Sequence, residues 1–168
     1  MPVNRPVQGE GGSLQGVEVG AKLAFSDFIE DGFLRDFGFD GSYTFSDSSQ
    51  NAQNLSGDDL PFPDNSEQQI NAAFWYQGER LQTRVAWNYR TPRLASTFGA
   101  IPIYQDTAQY VDVNITYDVT DDITIYANGS NVFGEIEEYY LECEKGAEQF
   151  HSRNEFEPRW FVGVRAKF

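Results

Sequence analysis

The chain has 168 residues, a formal net charge of −14 and an aromatic content of 15%. This acidic balance excludes a nucleic-acid-binding role, because phosphate binding requires a basic face. A single Cys and a single His exclude an internal disulfide and a zinc site of the usual composition, and no apolar run is long enough for a transmembrane helix.

Apolar and polar residues alternate along most of the chain, and this period of two predicts β-strands. We predict seven strands, at residues 14–25, 37–45, 69–76, 81–89, 110–117, 123–132 and 158–168. In the last of them, Trp160, Val162 and Val164 alternate with Gly163 and Arg165. Each strand therefore has one apolar face and one face of small polar residues and single charges.

The predicted connections between these strands alternate in length. Three of them are short, at residues 26–36 (with one helical turn), 77–80 and 118–122, whereas residues 46–67, 90–109 and 134–157 form long loops. Short turns at one end and long loops at the other are typical of outer-membrane β-barrels.

The apolar face is predicted to meet lipid rather than a soluble core. Aromatic residues end this face near the short turns, as in an interfacial girdle: Phe25, Phe37, Tyr76, Tyr117 and Phe168. The convex surface of an open, curved sheet is expected to carry Phe39, Tyr43, Phe74, Val85, Trp87, Val113, Ile125 and Val162. The predicted fold class is therefore all-β, an antiparallel up-and-down transmembrane β-barrel segment of about seven strands.

Five segments, taken in order, resemble the C-terminal barrel strands of TonB-dependent outer-membrane receptors. They are GGSLQGVEVGAKLAF (11–25), FLRDFGFDGSYTFSDS (33–48), RVAWNYRT (84–91), YVDVNITYDVTDDITIYANGSNVFGE (110–135) and RWFVGVRAKF (159–168). Each match is weak alone, but their order and spacing cover most of the chain from residue 11 onward.

The resemblance implies that residues 1–168 are the C-terminal portion, about a third, of a barrel of about 22 strands with a plugged lumen. Plug and N-terminal barrel strands are absent from the sequence, and its start lacks the regions of a signal peptide. We therefore expect a fragment, a truncated reading frame or one chain of a split receptor. An odd number of strands agrees, because it leaves edges that lipid does not tolerate.

The resemblance also implies location and partners. The expected location is the outer membrane of a Gram-negative bacterium, where the chain contacts lipid. The TonB complex would act through the missing plug domain, and the barrel-assembly machinery would read the C-terminal Phe168. The transported ligand would be a scarce small molecule such as a siderophore, a vitamin or an oligosaccharide.

Four residues of the predicted long loops are candidates for ligand binding. Arg90 and Arg93 offer forked donors, while Tyr104 and Tyr139 offer rings that stack on sugars. The competing interpretation is that they are ordinary solvated loop residues. We predict no catalytic residue, no cofactor-binding residue and no metal ligand.

Two alternatives compete with the receptor, and one acidic cluster is a further candidate site. One is a soluble, lipocalin-like barrel that binds a small ligand in an interior lined by Phe and Tyr. Another is a glycosidase, which needs two carboxyl groups close together; the strand acids are Glu18, Asp40 and Asp112. The acidic cluster Asp58, Asp59 and Asp64 could coordinate calcium, but its spacing matches no calcium loop and favours a solvated charge run. Charged residues of the polar face are instead expected to form salt bridges to a plug or to neighbouring strands: Glu18, Lys22, Arg84, Asp112, Arg165 and Lys167.

Overall fold

The computed structural model describes residues 11–144 and 146–167. These residues form twelve β-strands and two short 3₁₀ turns, Phe25–Asp27 and Phe33–Asp36. The strands are β1 (Gly12–Ala24), β2 (Phe37–Gln53), β3 (Asp59–Leu60), β4 (Gln68–Gln77), β5 (Leu81–Arg90), β6 (Arg93–Phe98), β7 (Ile101–Gln105), β8 (Ala108–Asp118), β9 (Ile123–Ser130), β10 (Ile136–Glu144), β11 (Ala147–Glu155) and β12 (Arg159–Ala166).

The main sheet is an antiparallel meander in the order β1-β2-β4-β5-β8-β9-β12, with the short β3 paired to β2. These seven strands correspond to the seven predicted ones, and the fold class is confirmed. The connections at residues 78–80 and 119–122 are tight, and backbone hydrogen bonds such as Gly78 N–H to Leu81 O (2.9 Å) close them. The sheet is open, since β1 and β12 each pair with one neighbour only among the described strands.

The register of the main sheet separates the two kinds of side chain. Phe39 lies opposite Phe74, Phe74 opposite Val85, and Val85 opposite Val113, so one apolar row crosses four strands. These side chains do not pack into a sealed core: Phe74 is 47% exposed and Val162, on β12, is 75% exposed. An apolar face that remains exposed is the expected surface of a protein that meets hydrocarbon.

Cavities lie on the polar face, which is therefore the hollow side of the sheet. The first has a volume of about 440 Å³ and is lined by residues of β1, β2, β4 and β5, among them Ser42, Asn71, Arg84 and Asn88. Arg84 reaches across β4 to form an ion pair with Asp40 at 3.0 Å. One expected salt bridge between strands is thereby confirmed, and the wet interior predicted from small polar side chains lies on this face.

A glycine on this polar face makes room for a large ring of the next strand. Gly38 is the register partner of Trp75, and a Cβ atom at position 38 would lie 1.9 Å from Trp75 Cζ2. Trp75 therefore covers the bare backbone of β2, an arrangement in which an aromatic ring protects a glycine that has no side chain of its own.

The interpretation of the three longest connections as loops is wrong. β2 continues to Gln53, β3 follows, and the other two connections contain the hairpins β6–β7 and β10–β11, which form a second sheet in the order β11-β10-β7-β6. The period-two signal is broken there by bulges, between Leu94 and Ser96 and between Tyr139 and Tyr140, and by Pro102 inside β7. Such strands pair through their backbones, so a sequence pattern based on side chains misses them.

Smaller differences concern strand ends. The first predicted strand ends at Ala24 because Phe25 begins a 3₁₀ turn, and the sixth ends at Ser130 because Asn131 adopts a left-handed conformation with φ 51°. The helical turn predicted between the first two strands is present as two 3₁₀ turns. Phe168 and the sequence before Gly11 lie outside the described residues.

The structure contradicts the lipocalin-like alternative. A closed barrel would place its aromatic residues inside, whereas Phe39, Phe74 and Val85 are exposed and the sheet does not close. The buried hydrophobic residues among those described are few and lie on four different strands, β3, β4, β6 and β8: Leu60, Ala73, Leu94 and Ala108. Across the described residues, no helix is long and apolar enough to span a bilayer.

Candidate ligand site at the long-connection end

The second sheet begins where β5 ends, in the sequence YRTPR (89–93). Pro92 has no N–H group and cannot continue the ladder of β5, so the chain leaves the main sheet at this point. Thr91 fixes the bend, since its N–H donates to Gln68 O at 3.0 Å and its Oγ1 accepts from Gln68 N at 3.0 Å. Arg90 and Arg93 are thereby placed on the two sides of one turn.

Gln105, the last residue of β7, joins these two arginines. Its side-chain oxygen accepts a hydrogen bond from Arg90 Nη2 at 3.0 Å and another from Arg93 Nε at 2.7 Å. Gln105 is fully buried, at 0% exposure. Arg93 also donates to Asp64 Oδ1 at 2.5 Å. Gln105 therefore orients both guanidinium groups, and Asp64 balances the charge of one of them.

Glu137, on β10, organises the tyrosines. Its carboxylate accepts hydrogen bonds from Tyr110 Oη and, at 3.0 Å, from Tyr139 Oη. Burial by itself raises the pKa of Glu137, but the hydrogen bonds from both tyrosines and from Asn154, with the positive charge of Arg90, outweigh burial and lower it. Glu137 is therefore an ionised acceptor that faces the Arg90 guanidinium.

Three of the four candidate ligand residues come together, and the fourth does not. Tyr139 lies opposite Gln105 in the ladder between β7 and β10, so it joins Arg90 and Arg93 at this cluster. Tyr104 is one residue before Gln105 and points to the other face of the second sheet, where its ring stacks on Tyr140 at 5.6 Å. Burial raises the pKa of Tyr104, with a further contribution from the charge of Glu142.

A buried asparagine holds the connection that leads to β10. Asn131 donates from its backbone N–H to Asp112 Oδ1 at 2.9 Å and from its side-chain amide to Phe156 O at 3.0 Å. Its side-chain oxygen accepts from the backbone N–H of Glu135 at 2.8 Å. Asn131 therefore links β8 to the residue before β10 and to the segment before β12.

A cavity of about 370 Å³ opens between the cluster and the polar face of the main sheet. Arg90, Tyr110 and Glu137 line its upper part. Asn71 and Asn88, which are register partners, line its lower part and also belong to the 440 Å³ cavity. Amide side chains therefore form a continuous polar path from the long-connection end into the hollow side of the sheet.

The acidic residues considered for other chemistry do not converge. Asp58 bonds to the Asn54 amide (3.4 Å), Asp59 to the Gln53 amide (3.1 Å), and Asp64 to Arg93. Of the strand acids, Asp40 pairs with Arg84 and Asp112 caps Asn131. Within residues 11–144 and 146–167, no group of three or more His, Cys, Asp or Glu side chains is arranged to hold a metal ion.

Four contributors to the site are missing from the sequence prediction: Gln105, Tyr110, Asn131 and Glu137. In the sequence Tyr110 is an ordinary residue of a predicted strand, and Gln105 and Glu137 lie in predicted loops. Asn131 had a local signal, because an asparagine before Val-Phe-Gly, at the end of a strand, is suited to a left-handed turn. The other three are recognisable only when the second sheet is known.

An open antiparallel meander with a lipid-type outer face, a polar hollow side and long connections at one end defines a part of a transmembrane β-barrel. Residues 2–132 match the family described as "TonB dependent receptor-like, beta-barrel". The chain belongs to this family, and the predicted resemblance is confirmed. It is a family of receptors and transporters of the Gram-negative outer membrane. Comparisons with curated proteins and with solved structures give no significant match.

Proposed function

We propose that the chain supplies seven barrel strands to an outer-membrane receptor that takes up a scarce ligand with energy from the TonB system. The arrangement of the main sheet carries this proposal: every strand turns its apolar residues to one face, while the cavities lie on the other face. The sheet separates a hydrocarbon side from a wet interior, and transport through a lumen requires this separation. Uptake of this kind requires no covalent chemistry from the chain.

The two edges of the sheet support a larger barrel. Consecutive strands alternate in direction, so β1 and β12, the first and seventh along the sheet, run in the same direction. They cannot pair with each other to close an antiparallel barrel, and an open edge in lipid leaves backbone groups without partners. We infer that an odd number of further strands completes the barrel, with about 22 in total and a plug that contacts the TonB complex. Recognition of Phe168 by the assembly machinery is part of the same proposal.

We infer that the cavity of about 370 Å³ lined by Arg90, Tyr110 and Glu137 is a ligand site of this receptor. Asp64 balances the charge of Arg93, and Glu137 faces Arg90, so the cavity has little net charge for an anionic metal chelate. Gln69 and Asn88 both line this cavity, and among the described residues their side-chain amides form no hydrogen bond. Amides both donate and accept, as hydroxyl groups do. Among siderophore, vitamin and oligosaccharide, these features favour the oligosaccharide.

Uptake by bacterial cells tests this proposal. Cells that carry the receptor at its native length should accumulate labelled maltohexaose or cellohexaose, but not ferric citrate, and only when TonB is present. Asn88→Ala should weaken binding of the sugar to the purified receptor by roughly tenfold, because one or two hydrogen bonds to the ligand are lost. Gln149→Ala, an exposed change on β11, is the matched control. Accumulation that is independent of TonB would disprove the receptor role, whereas uptake of ferric citrate alone would disprove the ligand class.

A further inference from the structure

The connection between β1 and β2, residues 25–36, differs from the other two at the same end of the main sheet. Those are tight turns at residues 78–80 and 119–122. Residues 25–36, which we call the β1–β2 knuckle, instead fold into two 3₁₀ turns, Phe25–Asp27 and Phe33–Asp36. A hairpin needs far fewer residues to reverse direction, so the additional length of the knuckle requires an explanation.

One side of the knuckle continues the apolar face of the sheet. The ring of Phe33 packs against the rings of Phe37 and Tyr76, with centroids at 4.9 Å and 5.8 Å. Phe25 contacts Phe74 in an edge arrangement at 6.3 Å. Three residues of the predicted girdle, Phe25, Phe37 and Tyr76, thus form one cluster with the knuckle at the outer face of the sheet.

The other side of the knuckle faces the hollow of the sheet. Ser26, Arg35 and Asp36 line a cavity of about 580 Å³ together with Trp75 and Gln77. Trp75 and Gln77 belong to the polar face, because they alternate with Phe74 and Tyr76 along β4. The knuckle is therefore amphipathic across the wall of the barrel, with rings outside and polar groups inside.

Large apolar side chains of the knuckle extend beyond the cluster. Phe28 is 74% exposed, Phe33 69% and Leu34 58%. Acidic residues flank them in sequence: Asp27 precedes Phe28, and Glu30 and Asp31 lie between Phe28 and Phe33. Exposed rings interleaved with charges match the layer between headgroups and acyl chains, where an aromatic ring is tolerated and a charge remains hydrated.

We propose that the β1–β2 knuckle is a lipid anchor, which inserts Phe28, Phe33 and Leu34 into the headgroup–acyl boundary of the periplasmic leaflet. Short connections of such barrels lie on the periplasmic side. The occupant is lipid rather than protein because the apolar side of the knuckle is continuous with the lipid-facing surface, at Phe37 and Tyr76. The inference depends on the membrane placement of the sheet, and it is independent of the ligand.

Site-directed spin labelling of the native-length receptor in phosphatidylethanolamine–phosphatidylglycerol vesicles tests the anchor. The background is Cys143→Ser, because Cys143 is the one cysteine of this chain; any cysteine elsewhere in the receptor is replaced by serine too. A nitroxide is attached at Phe28→Cys and, in a separate protein, at Thr120→Cys. Thr120 is exposed in the tight turn before β9, at the same end of the sheet, and serves as the matched control. A label at Leu34→Cys provides a second position if Phe28→Cys does not fold.

The measured quantity is the accessibility of each label to oxygen, which concentrates in lipid, relative to a water-soluble nickel chelate. We expect the ratio of oxygen to nickel accessibility to be several-fold higher at positions 28 and 34 than at position 120. Equal ratios at the three positions would overturn the anchor. Low accessibility to both reagents at position 28 would also overturn it, because that result indicates contact with another strand or a second copy of the protein.

Discussion

Replacing Gln105 with Met should loosen the second sheet. The change keeps an unbranched chain of similar length but removes the oxygen that accepts hydrogen bonds from Arg90 (3.0 Å) and Arg93 (2.7 Å). A hydrogen bond to a charged donor contributes about 1.5–3 kcal/mol. Arg93 is 22% exposed and also bonds to Asp64, so water and Asp64 recover part of the loss. We expect a net cost of about 2 kcal/mol for opening the second sheet.

Hydrogen–deuterium exchange of the native-length receptor measures this opening free energy directly. A cost of about 2 kcal/mol raises the exchange rate of protected amides roughly thirtyfold, since every 1.4 kcal/mol is a factor of ten. The effect should be confined to β6, β7 and β10, with β4 and β5 unchanged. Gln149→Met, at an exposed position of β11, is the control and should leave exchange unchanged. If Gln105→Met exchanges like the control, Gln105 does not hold the arginines and the reasoning fails.

Three further predictions concern other parts of the chain. The folded pKa of Glu137 lies below its ordinary value of 4.5, so the stability that Glu137 contributes to the second sheet is complete above pH 4.5 and is lost as the pH falls through the folded pKa. Hydrogen–deuterium exchange of the β10 amides, corrected for intrinsic rates, should therefore rise below pH 4.5. Glu137→Gln should remove this dependence of exchange on pH. Val113→Arg should lower the free energy of unfolding in vesicles, measured by urea titration, by about 2–4 kcal/mol, because it places a charge in lipid. Asn114→Arg, on the opposite face of the same strand, should have little effect. Equal losses of unfolding free energy in the two variants would contradict the assignment of the faces. Gly38→Ala should destabilise the barrel by about 1–3 kcal/mol in the same titration, because its Cβ would overlap the indole on the next strand, while Gly20→Ala has 3.5 Å of clearance and should be tolerated.

The strands of the main sheet were predictable because each is amphipathic on its own. Val85 and Trp87 alternate with Arg84 and Asn88 inside β5, and a residue-by-residue pattern contains this information. Which solvent the apolar face meets was also readable, from the aromatic positions near the short turns and from the lengths of the connections. The family match over residues 2–132 and the exposed apolar row from Phe39 through Phe74 to Val85 agree with that prediction.

The second sheet and its site were not predictable in this way. Strand β7 contains a proline, and β10 contains a bulge and clustered acids, so apolar and polar residues do not alternate along them, and only backbone pairing between distant segments identifies them. Arg90 and Arg93 attracted attention because of their residue type, but Gln105 and Glu137, which orient them, are ordinary polar residues in sequence.

The sequence by itself determined the seven-strand meander, the lipid-facing side and the family, because strand periodicity is a local property that each segment expresses alone. Tertiary structure decided that the long connections fold into a sheet and that Gln105 and Glu137 meet the arginines. It also decided that residues 25–36 place rings on the outer face and Arg35 and Asp36 on the hollow side. These features depend on contacts between residues far apart in the chain. No local pattern specifies such contacts, since their free energy arises only when the partners are brought together.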